Sequence, residues 1–236
     1  MAVQKKNIFL TQTADSMPYT STSKPIGTNF PKRTVATHAA FIKRKLQECY
    51  NNSLTQKQVA AIRYKEGTYL EFSSAKDCDL AIKSLENRKT GIRLLNVHED
   101  EENSIVRATV YIPAGQESFF LKKAEAYANE VTSKGNPKNN GLISSIEDVK
   151  IAILDSFWIG TQESMPQEEP VWCEIWLRYD YNKNDAKAWL DTENNIVTTC
   201  MTNQIHIDDK RIIFPERIVK MVYANAEQLK LLIATC

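Results

Sequence analysis

The chain has 236 residues, of which 42% are hydrophobic and 25% are charged, a composition that excludes a disordered protein. Its net charge of +1 gives no electrostatic reason to expect nucleic acid or an anionic membrane as a partner. With only 7 glycines a glycine-rich nucleotide-binding loop is not expected, and no apolar run approaches the ~20 residues that span a bilayer.

The N-terminus and the cysteines together favour a cytoplasmic protein. The first ten residues contain neither a long apolar segment nor a small-residue cleavage site, so they do not look like a secretory signal. The 5 cysteines are odd in number, widely spread and without a CxxC pair, which favours reduced thiols over disulfides or a metal site.

Residues 1–56 are predicted to form an N-terminal arm, a loop and a helix. Asn7–Leu10 suits a short strand or an anchoring arm. Residues 11–33 are rich in Ser, Thr, Pro and Lys, which indicates an extended loop. Apolar spacing then predicts a helix over Thr34–Tyr50, with the basic run Lys43–Lys45 on its wet face.

Residues 57–160 are predicted to form a first α+β unit, beginning with a hairpin and a helix. Alternating apolar residues on both sides of Gly67 predict a hairpin over Ala60–Phe72. Ser74 with Asp77 three residues later suggests a capping box, from which a helix runs to about Asn87.

The centre of this unit reads strand, acidic turn, strand, helix. The strands are predicted over Ile92–Val97 and Ile105–Ile112, around the acidic tip Glu99–Asn103. The next helix has an apolar stripe formed by Phe120, Ala124, Tyr127 and Val131. A further helix is predicted from Ser145, with inward residues Ile146, Val149, Ile153 and Phe157.

Residues 161–236 are predicted to form a second ferredoxin-like unit, after a polar boundary with Pro166 and Pro170. A strand over Val171–Asp180 and a short helix over Asn184–Asn195 come first. Further strands are predicted over Ile205–Ile207, Ile212–Phe214 and Ile218–Tyr223, with Pro215 at a strand end, before a last helix capped by Asn225.

This order predicts an α+β fold with two ferredoxin-like (βαββαβ-type) units and antiparallel sheets, preceded by the N-terminal arm and helix. The strand at 171–179 is expected to complete the first unit's pattern. The second unit lacks a closing strand and the chain stops on an amphipathic helix, so we expect a longer protein truncated in this unit.

No metal, cofactor or catalytic site is predicted. The three histidines are isolated and lack metal-ligand spacing, and the acidic tip lacks the spacing of a calcium loop. The basic run on the first helix could bind phosphate, but a solvated helix face is the simpler interpretation because no aromatic platform or glycine loop accompanies it.

A protein interface is the one site for which the sequence offers candidates. Trp172, Trp176 and Arg178 share one side of a predicted strand, and Arg107 and Tyr111 share one side of another. Aromatic and arginine side chains are common anchors of interfaces. The alternative is that the first helix or residues 11–33 cover these faces, which would make the tryptophans core residues.

Several short blocks of sequence together look familiar: TYLEFSS, AIKSLENRKTGIRLLNVHED, ATVYIPAG, KNNGLISSIEDVKIAILDSFW, VWCEIWLRYD and IIFPERIVKMVYA. With the opening IFLTQTADSMPYTS, they resemble the N-terminal region of a family of large bacterial subtilisin-like serine peptidases. In that family a subtilase domain follows this region, and a neighbouring gene often encodes an AAA-type ATPase. The pair is associated with phage defence or plasmid maintenance.

The resemblance implies no catalytic residue in this chain. The family's Asp-[Ser/Thr]-Gly, His-Gly-Thr and Gly-Thr-Ser-Met blocks are absent, and Gly160–Pro166 is only a near miss in which Gln162 and Glu163 separate Thr161 from Ser164. In subtilases generally, a ferredoxin-like segment before the catalytic domain acts as its intramolecular chaperone and inhibitor.

We therefore expect a non-catalytic, prodomain-like N-terminal region of a cytoplasmic subtilisin-like protease, which folds, inhibits or directs that protease. The expected partners are the catalytic domain of the same polypeptide and an AAA ATPase, with no nucleic acid and no membrane. The alternative is a stand-alone protein-interaction or sensor module with no protease attached. A cryptic enzyme is the remaining and least favoured reading.

Overall fold

The computed structural model describes residues 30–59, 66–100, 102–179 and 187–235. These residues form an α+β fold with a four-stranded sheet and a three-stranded sheet, both antiparallel. The strands are β1 (Thr68–Ser73), β2 (Arg93–Asp100), β3 (Ile105–Ile112), β4 (Asp148–Ile151), β5 (Val171–Arg178), β6 (His206–Phe214) and β7 (Arg217–Ala224). The helices are α1 (Val35–Val59), α2 (Ser118–Asn129), α3 (Asn140–Ile143), α4 (Leu154–Phe157), α5 (Leu190–Thr202) and α6 (Ala226–Thr235).

The first sheet has the strand order β2-β3-β1-β4, which is the ferredoxin-like order. The acidic turn joins β2 and β3 as a hairpin, as the sequence predicts. The connection from β3 through α2 to β4 then passes over β1, so that β1 pairs with β3 on one edge and with β4 on the other.

One face of the first sheet packs against α1 and α2. Alternate residues of β3 face these helices, as the predicted strand requires, and Ala108, Val110 and Ile112 are fully buried beneath them. Phe120 of α2 contacts Phe72 of β1, with ring centroids 5.0 Å apart. This face is the main hydrophobic core of the described structure.

The opposite face of the first sheet is covered by the segment that follows β4. The Ser156 carbonyl oxygen in α4 accepts a hydrogen bond from Thr109 Oγ1 at 2.7 Å and another from Asn96 Nδ2 at 2.9 Å. The Phe157 ring lies edge-on to the ring of Tyr69, with centroids 5.2 Å apart. The two layers on this side are therefore joined mainly by polar contacts.

The second sheet has the order β5-β7-β6, which matches three of the four positions in a ferredoxin-like unit. Helices α5 and α6 supply apolar residues to a smaller core, formed by Leu154, Cys173, Ile196, Cys200, Ile205, Val222, Ala224, Leu229 and Leu232. The predicted cap of α6 is confirmed: Asn225 Oδ1 accepts from Gln228 N, and Gln228 Oε1 accepts from Asn225 N, each at 3.0 Å.

The two units meet through α4 and a polar cluster. Leu154 of α4 belongs to the second core, although Ser156 two residues later binds the first sheet. Arg178 on β5 forms an ion pair with Glu86 of the first unit at 3.6 Å. Arg217 Nη2 donates to the carbonyl oxygen of Leu95, at the β-bulge of β2.

Two helix predictions in the first unit are wrong. The segment after Ser74 forms only 3-10 turns, at Ile82–Ser84 and Arg88–Thr90. Ser74 N and Oγ both bond the backbone of Val106, and this pairing with β3 competes with a helix start. Asp77, the proposed partner in the capping box, has a left-handed φ of 57°.

The predicted helix from Ser145 is instead strand β4, which completes the first sheet in the place expected for residues 171–179. Its β-branched residues Val149 and Ile151 suit a strand, and the free edge of β1 supplies backbone partners that a helix would not use. The inward position expected for Ile153 is also wrong, because this side chain is exposed.

Other boundaries differ in smaller ways. Helix α1 continues to Val59, and α2 ends at Asn129, so that Val131 is exposed rather than part of the apolar stripe. The two strands predicted over residues 205–214 form one bulged strand, and the helix predicted at 184–195 begins at Leu190. The predicted arm over residues 1–29 and the hairpin residues 60–65 lie outside the described residues. The other strand of that predicted hairpin is β1, and its two edges are paired with β3 and β4.

His38 makes the stability of α1 dependent on pH. Arg33 Nη1 donates to His38 Nδ1 at 3.2 Å, which leaves Nε2–H to donate to the carbonyl oxygen of Ile143 at 3.0 Å. Burial is the main cause that lowers the pKa of His38 below its usual value, and the nearby Arg33 charge lowers it further. The folded chain therefore holds a neutral imidazole.

We expect the free energy of unfolding to fall as the pH is lowered from about 7 to about 5.5, because the unfolded chain takes up a proton at His38 near pH 6.5 and the folded chain resists it. His38→Gln, which keeps a neutral donor, should reduce this dependence. Urea titrations of both proteins at the two pH values measure it. An equal loss of stability in the variant would contradict this role of His38.

Candidate protein interface

The three-stranded sheet has one face that neither α5 nor α6 covers. Because side chains alternate along a strand, the residues opposite the core lie together on this side. Large apolar side chains occupy it, each 40–58% exposed, and we call this surface the aromatic face: Trp172, Trp176, Ile212, Phe214 and Tyr223.

The rings of the aromatic face hold one another in place. Trp172 contacts Tyr223 and His206, with ring centroids 5.5 Å and 5.3 Å apart. Trp176 lies parallel to Phe214 at 5.5 Å and 5°. Between Trp176 and Ile212 in the strand register, Val219 is only 5% exposed. Such a surface can bind a partner without ordering many side chains, which lowers the entropy cost of association.

Most of the charged side chains described on this side of the three-stranded sheet already form hydrogen bonds or ion pairs. Trp176 Nε1 donates to the carboxylate of Glu174, the exposed residue between the two tryptophans. Arg178 has a side chain only 15% exposed and bonds Glu216 at 3.3 Å as well as Glu86. Arg178 therefore lies at the junction of the two units, where its charge is already neutralised.

Arg107 and Tyr111, the other predicted interface residues, lie on the first sheet and not beside the tryptophans. Tyr111 Oη donates to the carbonyl oxygen of Glu66 at 2.6 Å, and burial, followed by the Glu66 charge, raises its pKa. Arg107 forms an ion pair with Asp100 at 3.4 Å and lines a small polar cleft of about 150 Å³ beneath residues 155–162.

The expectation of a free second face thus fails for the first sheet, because α4 and the residues after it cover the face with Arg107 and Tyr111. The covering segment differs from the two considered from the sequence, which were the first helix and residues 11–33. Helix α1 packs on the other face with α2, and residues 11–29 lie outside the described residues. The structure brings Trp172 and Trp176 together on one exposed surface, with Arg178 paired to Glu86 and Glu216 at its end, and leaves Arg107 and Tyr111 on the other sheet.

Sequence reasoning missed Tyr223, Phe214 and Ile212 as members of the aromatic face, and His206 as a ring contact of Trp172. The alternation of Val219, Met221 and Tyr223 along β7 indicates one shared side. The irregularity of β6 between Ile207 and Arg211 shifts the register by two residues and keeps the alternation, so Ile212 and Phe214 stay on the side of His206. The sequence does not show that β7 pairs with both β5 and β6, which brings these side chains next to the tryptophans.

The described residues contain no group of three or more His, Cys, Asp or Glu side chains that could hold a metal ion. No helix among them is long and apolar enough to cross a membrane. Ser164 Oγ donates to the Thr161 carbonyl oxygen at 2.7 Å, and in this part of the chain no histidine accepts a hydrogen bond from it. The arrangement around Ser164 is a local turn rather than an activated nucleophile.

The chain matches no protein-family model, and no curated protein is similar to it at a significant level. The interpretation of the aromatic face therefore depends on its own geometry and chemistry.

We expect no labelling of Ser164 by a serine-directed fluorophosphonate probe, because its hydroxyl donates to a backbone carbonyl oxygen and no base among the described residues accepts its proton. Mass spectrometry of the intact chain after incubation with the probe checks this, and Ser164→Ala is the matched control. Stoichiometric labelling that disappears in the control would show that a nucleophile is present.

Proposed function

We propose that this chain is a non-catalytic, prodomain-like N-terminal region of a cytoplasmic subtilisin-like serine protease. In this role it folds, inhibits or directs the protease, within a phage-defence or plasmid-maintenance module that includes an AAA ATPase. The resemblance in the sequence blocks supports the family, and the aromatic face is the observation that supports a docking role.

The exposed apolar surface is the physical reason to expect a protein partner. Each of the five side chains of the aromatic face keeps two-fifths or more of its surface in contact with water. Burying apolar area is favourable by about 25 cal/mol per Å², and clustered tryptophans are frequent binding hot spots. A rigid sheet face with two tryptophans at its edge strand suits the surface of a folded catalytic domain.

The charge distribution favours a protein over nucleic acid. The aromatic face carries the carboxylate of Glu174, and Arg178 at its end is neutralised by Glu86 and Glu216. A stacking platform for bases needs cations that are free to neutralise phosphates. The net charge of +1 adds no general attraction.

A stand-alone interaction or sensor module is the second candidate, favoured by the same surface. The two candidates differ in one observation: the native reading frame of the protease region continues past Cys236 into Asp, His and Ser blocks, whereas that of a stand-alone module does not.

We expect the separately expressed protease domain to bind the full chain and to hydrolyse casein more slowly in its presence. Replacing both Trp172 and Trp176 by alanine should weaken binding by more than about 2 kcal/mol, roughly 30-fold in Kd, because the two largest side chains of the apolar contact are lost. Isothermal titration calorimetry with both purified proteins measures the change.

The matched control replaces Val131 and Met201, which are 72% exposed outside the aromatic face, by alanine. This variant should bind like the wild-type chain. Thermal unfolding of both variants verifies that they are folded. No heat at tens of micromolar protein, or equal weakening in the control, would argue against docking through the aromatic face.

A further inference from the structure

Strands β1 and β5 occupy equivalent places in the two units. Each pairs with the second strand of a hairpin, and each places an aromatic residue opposite a tyrosine: Tyr69 opposite Tyr111, and Trp172 opposite Tyr223. The ring centroids of these pairs are 5.3 Å and 5.5 Å apart. Two residues further along, both strands carry a glutamate on the same side, Glu71 and Glu174.

In the first unit, strand β4 fills the other edge of β1. Ala152 N donates to the carbonyl oxygen of Tyr69 at 2.9 Å, and Lys150 lies directly opposite Glu71. The Lys150 ammonium is 3.2 Å from the Glu71 carboxylate, whose side chain is 4% exposed. Val149 on the inward side of β4 is buried against the core.

In the second unit, the corresponding edge of β5 has no strand beside it among the described residues. Tyr179 N donates to the Glu216 carbonyl oxygen at 3.2 Å in the β5–β7 register, so the odd-numbered backbone groups of β5 face β7. The even-numbered groups, those of Trp172, Glu174 and Trp176, point away from β7. We call this side of β5 the open edge.

The side chains along the open edge are more exposed than the equivalent side chains of β1, as expected for an edge that carries no strand among the described residues. Glu174 is exposed where Glu71 is buried, and Ile175 is only partly buried where the equivalent Phe72 is fully buried. An added strand would cover Ile175 on the inward side and would bring a side chain opposite Glu174 on the outward side.

We propose that the open edge of β5 binds an extended polypeptide segment as an antiparallel strand. The segment carries a Lys or Arg opposite Glu174, flanked on each side by an apolar residue, which is the pattern of Val149-Lys150-Ile151 on β1. Main-chain hydrogen bonds give such strand addition its affinity, and alternate side chains give it specificity. The proposal does not require the protease, because it rests on the backbone edge of β5 and on the charge of Glu174.

A second copy of this chain is a poorer occupant of the open edge. The symmetric antiparallel register centred on Glu174 places two glutamates opposite each other, and like charges in directly opposite positions are destabilising. The apolar–basic–apolar pattern removes this conflict.

The probe is a fluorescein-labelled peptide of residues 146–153, IEDVKIAI, added to the full chain. We expect fluorescence anisotropy to detect binding below about 1 mM peptide. Amide hydrogen exchange should slow at Trp172, Glu174 and Trp176, by about tenfold or more at saturation, because these amides would gain acceptors.

Charge reversal tests the specific contact. A peptide with Lys150→Glu should bind at least about fivefold more weakly to the wild-type chain, and Glu174→Lys in the chain should reverse this preference. Glu102→Lys, an exposed residue in the β2–β3 turn, is the matched control with the same change of charge. It should leave the preference unchanged.

Glu174→Pro tests the backbone contact, because it removes an N–H that points away from β7 and leaves the β5–β7 hydrogen bonds in place. We expect it to abolish binding, and the charge-reversal arm decides if this variant does not fold. The proposal would be overturned if the peptide did not bind up to about 1 mM, or if hydrogen exchange slowed elsewhere but not in β5. It would also be overturned if neither charge change altered the affinity, or if the chain associated with itself through β5.

Discussion

Backbone pairing along the edges of the central strands organises this fold. A free edge leaves a row of N–H and C=O groups that another segment can bind. In the first unit β1 is paired on both sides, by β3 and by β4. Backbone pairing also explains why the segment after Ser74 bonds to Val106 and does not begin a helix. In the second unit, the described residues pair β5 on one side only, with β7.

The faces of the two sheets that lie opposite their cores differ in polarity and in exposure. On the first sheet this face is largely polar, with Glu71, Asn96 and Thr109, and it is covered by α4 through hydrogen bonds to the Ser156 carbonyl oxygen. On the second sheet this face is aromatic and exposed. Exposed apolar surface is costly to leave in water, whereas a polar face could be left in water at little cost. The contrast is the physical basis of the docking role that we propose for the aromatic face.

The fold class could be predicted from the sequence because period-two alternation in β3, β5 and β7 and the stripe of α2 are strong local signals. Strand β4 could not be predicted, because the apolar residues of Ser145–Phe157 also suit a helix. Only the free edge of β1 decides between a strand and a helix there. The two tryptophans of the candidate site could be predicted, because both lie on one side of a single strand. Their neighbours on β6 and β7 depend on the strand order β5-β7-β6, a tertiary pairing without a local signal.

The second unit has the smaller core, and this links its binding surfaces to its stability. Its buried cluster contains 9 described residues, against 21 in the first unit. Its inward side also holds a charged pair, Lys220 Nζ with Glu193 Oε1 at 3.2 Å, both less than 10% exposed. Burying such a pair costs desolvation that its attraction offsets only in part. A partner on the aromatic face or a strand on the open edge would bury further apolar area in this unit and stabilise it in proportion to the affinity. The unit that carries both proposed binding surfaces is therefore also the one with the smaller core to be stabilised by a partner.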